Sequence, residues 1–468
     1  MSAQVDYASF RDPSGYVLHR EGRVLRAVTS RGAPDYAAAE EGGLIAELIE
    51  RGWLVATKRL EAPANDPALG DAIILLEHER LPFISYPYEW TFSALRAAAL
   101  LQLDVHLAAL ARGFTLSDST AYNVQFRGAS PIFIDVLSFR RYRDGAYWDG
   151  YRQFCQQFLN PLLLQAYAGI PFNPWYRGAI NGIAAAELRP TLPLRRQLSL
   201  RVVKHVTLNA ALSAKTAATS AEKAIPTLLR AGLPLAALRN LIGSLRAWIA
   251  ELSWSAGGAS TWSDYEATRL YLDEALAAKQ AFVRDFVAAT RPRLLWDLGC
   301  NAGEFAFLAH DAGAAYVVGW DSDRGAIEEC FARAARGGRP VTPLIGDLMN
   351  PSPSQGWAER ERGGWRARAP ADAALALAIV HHLAIANNVP LAAIVDWLLS
   401  LAPCGVVEFV SKEDPQVRRM LSAREDIFPD YALAPFHDLL ARKARIVRFA
   451  ELPGGTRHIF WYDGGRSQ

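Results

Sequence analysis

The feature that most constrains the fold is a short apolar strand that runs directly into a glycine turn. Residues 294–296 are apolar, Asp297 ends the predicted strand, and Gly299 and Gly303 form a turn that leads into an amphipathic helix beginning at Glu304. A strand, a glycine turn and a helix N-terminus in that order make a cradle for a nucleotide-type ligand. The two glycines leave room for the ligand to approach the backbone closely.

The chain after this turn alternates between predicted strands and helices. Residues 316–320 predict a second strand that ends in Asp321, at about the 20-residue distance where such folds place a carboxylate for ribose hydroxyls. Further strands are predicted at 341–345, 373–380 and 405–410, with helices between them. This alternation predicts an α/β fold with a doubly wound parallel sheet, and a terminal hairpin supplies an antiparallel edge.

On these residues the C-terminal part of the chain, roughly 256–468, resembles the class I S-adenosylmethionine (SAM) methyltransferases, which have a Rossmann-like fold. The run from Asp297 to Gly303, Asp-Leu-Gly-Cys-Asn-Ala-Gly, resembles the first motif of that family. Asp347 stands where the family places an acidic residue near the adenine. The segment ending in His381-His382 resembles the strand whose end faces the transferred methyl group. A dehydrogenase fingerprint requires a third glycine, which is not in register here.

The resemblance implies that SAM is the cofactor and that the chain is a methyltransferase. Asp297 is expected to orient the methionine ammonium group, Asp321 to bind the ribose hydroxyls and Asp347 to accept from the adenine amino group. His381 or His382 is expected to act as a general base, with simple packing beside SAM as the alternative. The predicted cofactor-binding residues are Asp297, Gly299, Asn301, Gly303, Asp321 and Asp347.

Other polar residues of this half are candidates for the mouth of the site. Lys279 and Tyr265 lie on a helix predicted at 264–289 and are expected to reach the SAM carboxylate or the acceptor, unless they are surface residues. Glu408, Lys412 and Asp414 follow the strand 405–410 and are expected to line an acceptor pocket. The acceptor is expected to be a small molecule, a glycan or a peptide that offers an oxygen or nitrogen atom.

The N-terminal part, residues 1–185, is predicted to be a separate α+β domain. A hairpin at 14–30, a helix at 34–51, a stiff connector at 82–87 and a long apolar helix at 91–113 precede a polar loop. The order of elements, together with Asp118, Asn123 and Asp135, resembles the protein kinase-like fold. The resemblance implies ATP and Mg²⁺ as ligands, with Asn123 and Asp135 holding the metal. The alternative is that these side chains only cap turns.

Several residues depart from the kinase pattern. Leu116 and Ser117 replace the usual His-Arg pair, Val-Leu follows Asp135 in place of Phe-Gly, and no glycine-rich loop lies near residue 15. Arg26 stands in for the nucleotide-binding lysine, with Glu41 or Glu47 as its expected partner. We therefore expect a platform that recruits the acceptor. The alternatives for the whole chain are a bifunctional kinase and methyltransferase, or a module that binds SAM without catalysing transfer.

Residues 186–255 are predicted to form a helical connector. Arg195, Arg196, Arg201 and Lys204 make it locally basic, while Leu198, Val202, Val206 and neighbouring residues supply an apolar face. Such a segment either packs between two domains or presents a surface for lipid or an acidic partner.

The composition of the chain bears on nucleic-acid binding, membrane insertion and disulfide formation. The net charge of the 468-residue chain is only +2, which gives no general argument for binding nucleic acid. The start of the sequence has no apolar run, and residues 97–111 are expected to be too short and too charged to span a bilayer. The four cysteines are scattered without metal-ligand spacing, so reduced thiols and a cytoplasmic location are expected.

Overall fold

Each half of the chain contains a β-sheet in the structure, a computed structural model that describes residues 4–61, 66–210, 232–254, 273–422 and 424–465. The strands of the N-terminal half are β1 Gln4–Val5, β2 Gly15–Arg20, β3 Arg23–Thr29, β4 Thr57–Leu60, β5 Ala72–His78, β6 Phe114–Leu116, β7 Val124–Arg127, β8 Ser130–Phe133 and β9 Phe139–Arg141. Those of the C-terminal half are β10 Leu295–Leu298, β11 Val317–Asp321, β12 Val341–Ile345, β13 Ala373–Ala376, β14 Cys404–Val410, β15 Arg445–Glu451 and β16 Arg457–Asp463.

Helices surround both sheets. In the N-terminal half and the connector they are Ala33–Glu41, Leu44–Glu50, Phe92–Ala111, Tyr151–Phe154, Asn160–Ala168, Asn173–Gly178, Ala185–Leu188, Leu194–Gln197, Leu200–Val202 and Leu235–Glu251. In the C-terminal half they are Asp273–Thr290, Glu304–Asp311, Arg324–Gly337, Trp365–Arg368, Leu391–Leu401, Pro415–Ser422 and Leu433–Lys443.

The C-terminal sheet confirms the predicted doubly wound α/β topology. Its strand order is β12-β11-β10-β13-β14-β16-β15. The five strands from β12 to β14 are parallel, and β16 runs antiparallel to both β14 and β15. The order of the strands reverses between β10 and β13, and ligands of open α/β sheets bind at the carboxyl ends beside such a switch point. The glycine turn follows β10 and therefore lies at this point.

One strand of this sheet is shorter than predicted. The sequence predicts a strand over 373–380, but β13 ends at Ala376. Ala378 has a φ of 54°, and the chain then forms a wide helical turn over His382–Ala386. This change of direction after Ala376 ends the pairing with the flanking strands and carries the two histidines off the sheet.

The N-terminal half has the predicted α+β composition. Its main sheet is antiparallel, in the order β1-β2-β3-β5-β4, and two further hairpins pair β6 with β9 and β7 with β8. The single helix predicted at 34–51 is wrong, because two helices meet at Gly42-Gly43. Gly43 has a φ of 72°, a left-handed conformation that breaks a helix and that glycine adopts without strain.

The helix Phe92–Ala111 is the core helix of the N-terminal half. It has 20 residues and is long and apolar enough to cross a membrane, which corrects the expectation that this segment is too short. However, most of the helix is buried inside the protein. Packing against the rest of the chain accounts for its composition.

The two halves pack through one continuous hydrophobic core. The crossover from β12 to β13 contains only the four-residue helix Trp365–Arg368 as an α-helix, so it leaves part of one sheet face without a helical layer. Phe83 from the N-terminal half fills this place, and its ring packs edge-on against Trp296 at 6.1 Å and Trp320 at 5.7 Å. Trp365 stacks on Trp320 at 4.0 Å. The N-terminal half thus supplies a layer of the C-terminal fold.

Candidate functional site

The glycine turn after β10 has the backbone geometry that its sequence predicts. Gly299, Asn301 and Gly303 have φ values of 73°, 50° and 86°. A Cβ atom at Gly303 would lie 2.4 Å from the Cys330 sulfur, so no other residue fits there without a shift of the neighbouring helix. The turn leads into the helix Glu304–Asp311, whose first N–H groups lack partners within the helix.

Asp321 joins the turn after β10 to the turn after β11. Its Oδ2 accepts a hydrogen bond of 2.8 Å from the Asn301 backbone N–H, and its Oδ1 accepts one of 2.8 Å from the Asp323 N–H. Burial raises the pKa of the Asp321 carboxyl above its ordinary value, and these hydrogen bonds oppose that rise. Asp321 therefore lies beside the glycine turn, where the sequence predicts a ribose-binding acid.

Asp297 is a buried carboxylate that is incompletely satisfied. Its side chain lies at the end of β10, the residue is 2% exposed, and Oδ2 has no hydrogen-bond partner among the described residues. Burial raises the pKa of Asp297 to about 7, although the nearby Lys279 charge lowers it. A buried acceptor without a donor is costly, which is the expected state of a site whose ligand brings a cationic donor.

Asp347 lies two residues beyond β12, at the same carboxyl edge of the sheet. It is exposed, and its Oδ1 accepts a hydrogen bond of 2.8 Å from the Met349 backbone N–H. The hydrogen bond to the Met349 N–H is one that an aspartate in an ordinary turn also makes. The predicted contact of Asp347 with adenine therefore stays a prediction.

His381 and His382 follow the shortened β13 and lie ring against ring, with centroids 4.1 Å apart. Burial lowers the pKa of His381 well below its ordinary value, and the nearby His382, Arg457 and Lys279 lower it further. Burial also lowers the pKa of His382 to about 4. Both rings are therefore neutral at neutral pH, and the predicted role of either one as a general base stays a prediction.

A buried network of ion pairs lies next to the two histidines. Lys279 Nζ is 2.6 Å from Glu408 Oε2, and both side chains are buried. Arg457 Nε donates to Asp414 Oδ2 at 2.8 Å, and Arg457 Nη1 lies 3.5 Å from Glu408 Oε1. Lys279 therefore pairs with Glu408, and Asp414 pairs with Arg457, while the predicted contacts of these residues with SAM or the acceptor stay predictions.

The sequence prediction missed Arg457, and two other candidates of this half lie apart from the network or outside the described residues. Arg457 begins β16 opposite Val410 of β14, and a cation inside an otherwise apolar strand is a signal that could have identified it. Lys412 binds Asp426 at 2.7 Å, away from the network. Tyr265 lies outside the described residues.

The N-terminal half also brings its three predicted polar residues together. The Asn123 side-chain amide donates to Asp118 Oδ1 at 3.0 Å and to Asp135 Oδ2 at 3.3 Å. Burial raises the pKa of Asp118 to about 7, and the charges of Asp135 and Asp12 add to this effect. The spacing of the three residues therefore reflects a real cluster.

The cation of this cluster is Arg26, but its partners differ from the prediction. Arg26 Nη2 lies 2.5 Å from Asp12 Oδ2 and 3.1 Å from Asp135 Oδ1. Neither Glu41 nor Glu47 pairs with it among the described residues, and Glu47 pairs with arginines 51 and 112 instead. Asp12 was missed, because nothing in its local sequence marks it.

The cluster does not fit a metal ion in this arrangement. Besides Arg26 and Asn123, Asp135 accepts hydrogen bonds from the Leu137 N–H at 3.2 Å and the Ser138 hydroxyl at 3.1 Å. Both of its carboxylate oxygens are thus occupied. In the described parts of the chain, no group of three or more His, Cys, Asp or Glu side chains is arranged to hold a metal.

The loop between β12 and β13 connects the two sites. The Arg362 guanidinium lies 4.0 Å from the centroid of the Tyr122 ring, within the loop that carries Asp118 and Asn123. The Gly363 N–H donates to the Tyr86 hydroxyl at 3.0 Å, and Glu361 pairs with Arg11 at 3.0 Å. The same loop begins beside Asp347, at the carboxyl edge of the C-terminal sheet.

Comparison with known proteins identifies a relative of the whole chain. The nodulation protein NoeA of Rhizobium meliloti (strain 1021) is 43% identical over 456 residues, which cover 97% of this chain and 95% of NoeA. The chain belongs to the NoeA family. The match spans both halves of the chain. No protein-family model matches the sequence.

Solved structures similar to this NoeA relative include several methyltransferases. Magnesium protoporphyrin IX methyltransferase (ChlM) from Synechocystis PCC 6803 is 18% identical, with a TM-score of 0.29, and covers 41% of this chain and 86% of its own. The N-methyltransferase NodS from Bradyrhizobium japonicum WM9 is 12% identical, with a TM-score of 0.30, and covers 41% and 99%. WbdD is 20% identical, with a TM-score of 0.29, and covers 47% of each chain. These similarities are too low to transfer an activity, which must be argued from the residues.

Proposed function

We propose that this chain is a SAM-dependent methyltransferase that acts on an oxygen or nitrogen atom of a small-molecule, glycan or peptide acceptor. The observation that carries the proposal is the pair Asp297 and Asp321, which flank a left-handed glycine turn at the carboxyl ends of β10 and β11. An α/β sheet binds its ligand at this place.

The residues present fit SAM. Bound SAM supplies an electrophilic methyl group on a sulfonium centre. The unpaired Oδ2 of Asp297 would accept from the ammonium group of the methionine part, and Asp321 would accept from the ribose hydroxyls. Gly299, Asn301 and Gly303 would bring the backbone close to the ligand. Transfer of a methyl group is an in-line displacement, so alignment of the acceptor and exclusion of water are the main tasks of the protein.

The acceptor would approach from the side of His381 and His382. Because burial keeps both rings neutral, each can donate or accept one hydrogen bond but takes up a proton weakly at neutral pH. We therefore propose that the histidines orient the acceptor. The network of Lys279, Glu408, Arg457 and Asp414 would hold this wall of the site rigid.

The affinity for SAM should depend on pH through Asp297. With a pKa of about 7, its carboxyl is neutral below pH 7 and attracts a cationic ligand only when ionised. Affinity should therefore fall about tenfold between pH 8 and pH 6. Calorimetric titration with SAM at pH 6, 7 and 8 measures this change. Asp297→Asn should bind more weakly and show no dependence on pH in this range. Equal affinity of the wild-type protein at all three pH values would rule out the role of Asp297.

For the N-terminal half we propose a role in recruiting the acceptor. The alternative is a kinase site that makes the chain bifunctional, and it rests on the cluster of Asp118, Asn123 and Asp135. Against it, Arg26 already forms ion pairs with both Asp12 and Asp135.

Titration of the whole chain with ATP and Mg²⁺ separates these two roles. We expect no saturable heat, because the carboxylates that a metal needs are occupied by Arg26 and Asn123. Saturable binding that Asp135→Ala removes, while SAM binding is unchanged, would establish the bifunctional alternative.

A further inference from the structure

The start of the connector is a continuous basic segment. Residues 189–210 contain five Lys or Arg residues and no Asp or Glu, although the net charge of the whole chain is only +2. The segment forms the short helices Leu194–Gln197 and Leu200–Val202 and a wide helical turn over Val203–Thr207. Charge of a single sign is therefore concentrated on one short stretch of surface.

This basic segment also exposes three leucines. Leu194, Leu198 and Leu200 are 79%, 80% and 85% exposed, which is more than any other large hydrophobic residue that the structure describes. The segment is nevertheless anchored, because Val202 and Val206 are fully buried in the core. The two valines therefore lie on the packed side of the segment, and the three leucines lie on its exposed side.

Of the four basic side chains beside the leucines, two have partners and two have no ion pair within the described residues. Arg201 pairs with Glu251 at 2.5 Å, and the Arg196 guanidinium lies 4.2 Å from the centroid of the Tyr167 ring. Arg195 and Lys204 are exposed, and the structure gives neither of them an ion pair within the described residues. Exposed leucines next to unpaired cations are typical of a segment that lies in the interface of a membrane.

We propose that residues 194–204, held by the buried valines, dock onto an anionic lipid surface. The three leucines would enter the boundary between headgroups and acyl chains, and Arg195 and Lys204 would pair with lipid phosphates. A lipid surface fits better than a protein groove, because the three leucines lie on or between two short helices and do not form one continuous apolar stripe. Because the segment has basic residues and no acidic residue, its positive charge complements the negative charge of the lipid phosphates. The proposal is independent of methyl transfer.

Co-sedimentation of the whole chain with vesicles tests this proposal. Vesicles of phosphatidylcholine with added phosphatidylglycerol should bind the protein at least about tenfold more strongly than phosphatidylcholine alone. Raising the salt concentration should reduce the bound fraction, because salt screens exposed charges. Equal binding to both vesicle types, or no binding to either, would overturn the proposal.

Variants locate the effect on the segment. The triple variant L194Q/L198Q/L200Q should lose vesicle binding by about tenfold or more, and R195Q/K204Q should lose the preference for phosphatidylglycerol. The matched control I73Q/I427Q changes two other exposed hydrophobic residues and should bind as the wild type does. Circular dichroism should show unchanged folding in all variants. If the leucine variant binds vesicles normally but loses self-association in ultracentrifugation, the surface belongs to a second copy and the lipid proposal fails.

Discussion

The variant Arg368→Ala is expected to lower the free energy of unfolding by about 3–5 kcal/mol, the cost of breaking a buried ion pair on one side. Arg368 donates to Glu89 at 2.7 and 2.5 Å, and the two side chains are only 3% and 1% exposed. Arg368 also donates to the Ile84 carbonyl at 2.8 Å. Alanine would leave the Glu89 carboxylate buried without its cation, at the contact between the two halves.

Chemical unfolding followed by tryptophan fluorescence measures this loss. The control Arg366→Ala, an exposed residue in the same short helix, should change stability by less than about 0.5 kcal/mol. The double variant Arg368→Met/Glu89→Met removes both charges and should recover most of the loss, because apolar replacements of a buried pair are often tolerated. A loss below about 1 kcal/mol for Arg368→Ala would show that this pair does not hold the halves together.

The second large effect is expected at the cofactor site, where Asp321→Ala should weaken SAM binding by about 100-fold or more. Hydrogen bonds from two ribose hydroxyls to a carboxylate contribute roughly 1.5–3 kcal/mol each. Asp321 also accepts from the Asn301 and Asp323 backbone N–H groups, so alanine removes both the ligand contact and the support of the glycine turn.

A matched control separates the ligand contact from the structural role of Asp321. Asp323 lies two residues away and caps the helix Arg324–Gly337 by accepting from the Gly325 and Ala326 N–H groups. Asp323→Ala should cost about 1 kcal/mol of stability and leave SAM affinity within a few-fold of wild type. Equal loss of affinity in both variants would show that the effect of Asp321 is general destabilisation of this region.

Local features of the fold were readable from the sequence, and contacts between distant residues were not. The glycine turn after β10 was predictable because strand, turn and helix signals lie within about ten residues, and the same holds for Asp321 at the end of β11. The break at Gly42-Gly43 was missed, because the apolar periodicity on both sides of the two glycines indicated one continuous helix. β13 is shortened because Ala378 adopts a positive φ. Alanine rarely does so, and the sequence therefore gives no sign of it.

The partners of charged residues could not be predicted, because they come from remote parts of the chain. Arg457 meets Asp414 and Glu408 only when β14 pairs with β16, and Arg26 meets Asp135 only after the N-terminal half has folded. The low pKa values of His381 and His382 follow from burial and from the nearby cations. A sequence shows which residues can ionise, but their surroundings decide whether they do.

Calorimetric titration of the whole chain with SAM tests the central claim most directly. The account predicts saturable binding at a single site, weakened about 100-fold or more by Asp321→Ala and little affected by Asp323→Ala. Saturation at one SAM per chain with this pattern of variants would place SAM at the carboxyl ends of β10 and β11. A folded wild-type protein that gives no binding heat and no shift in Tm with excess SAM would contradict the account.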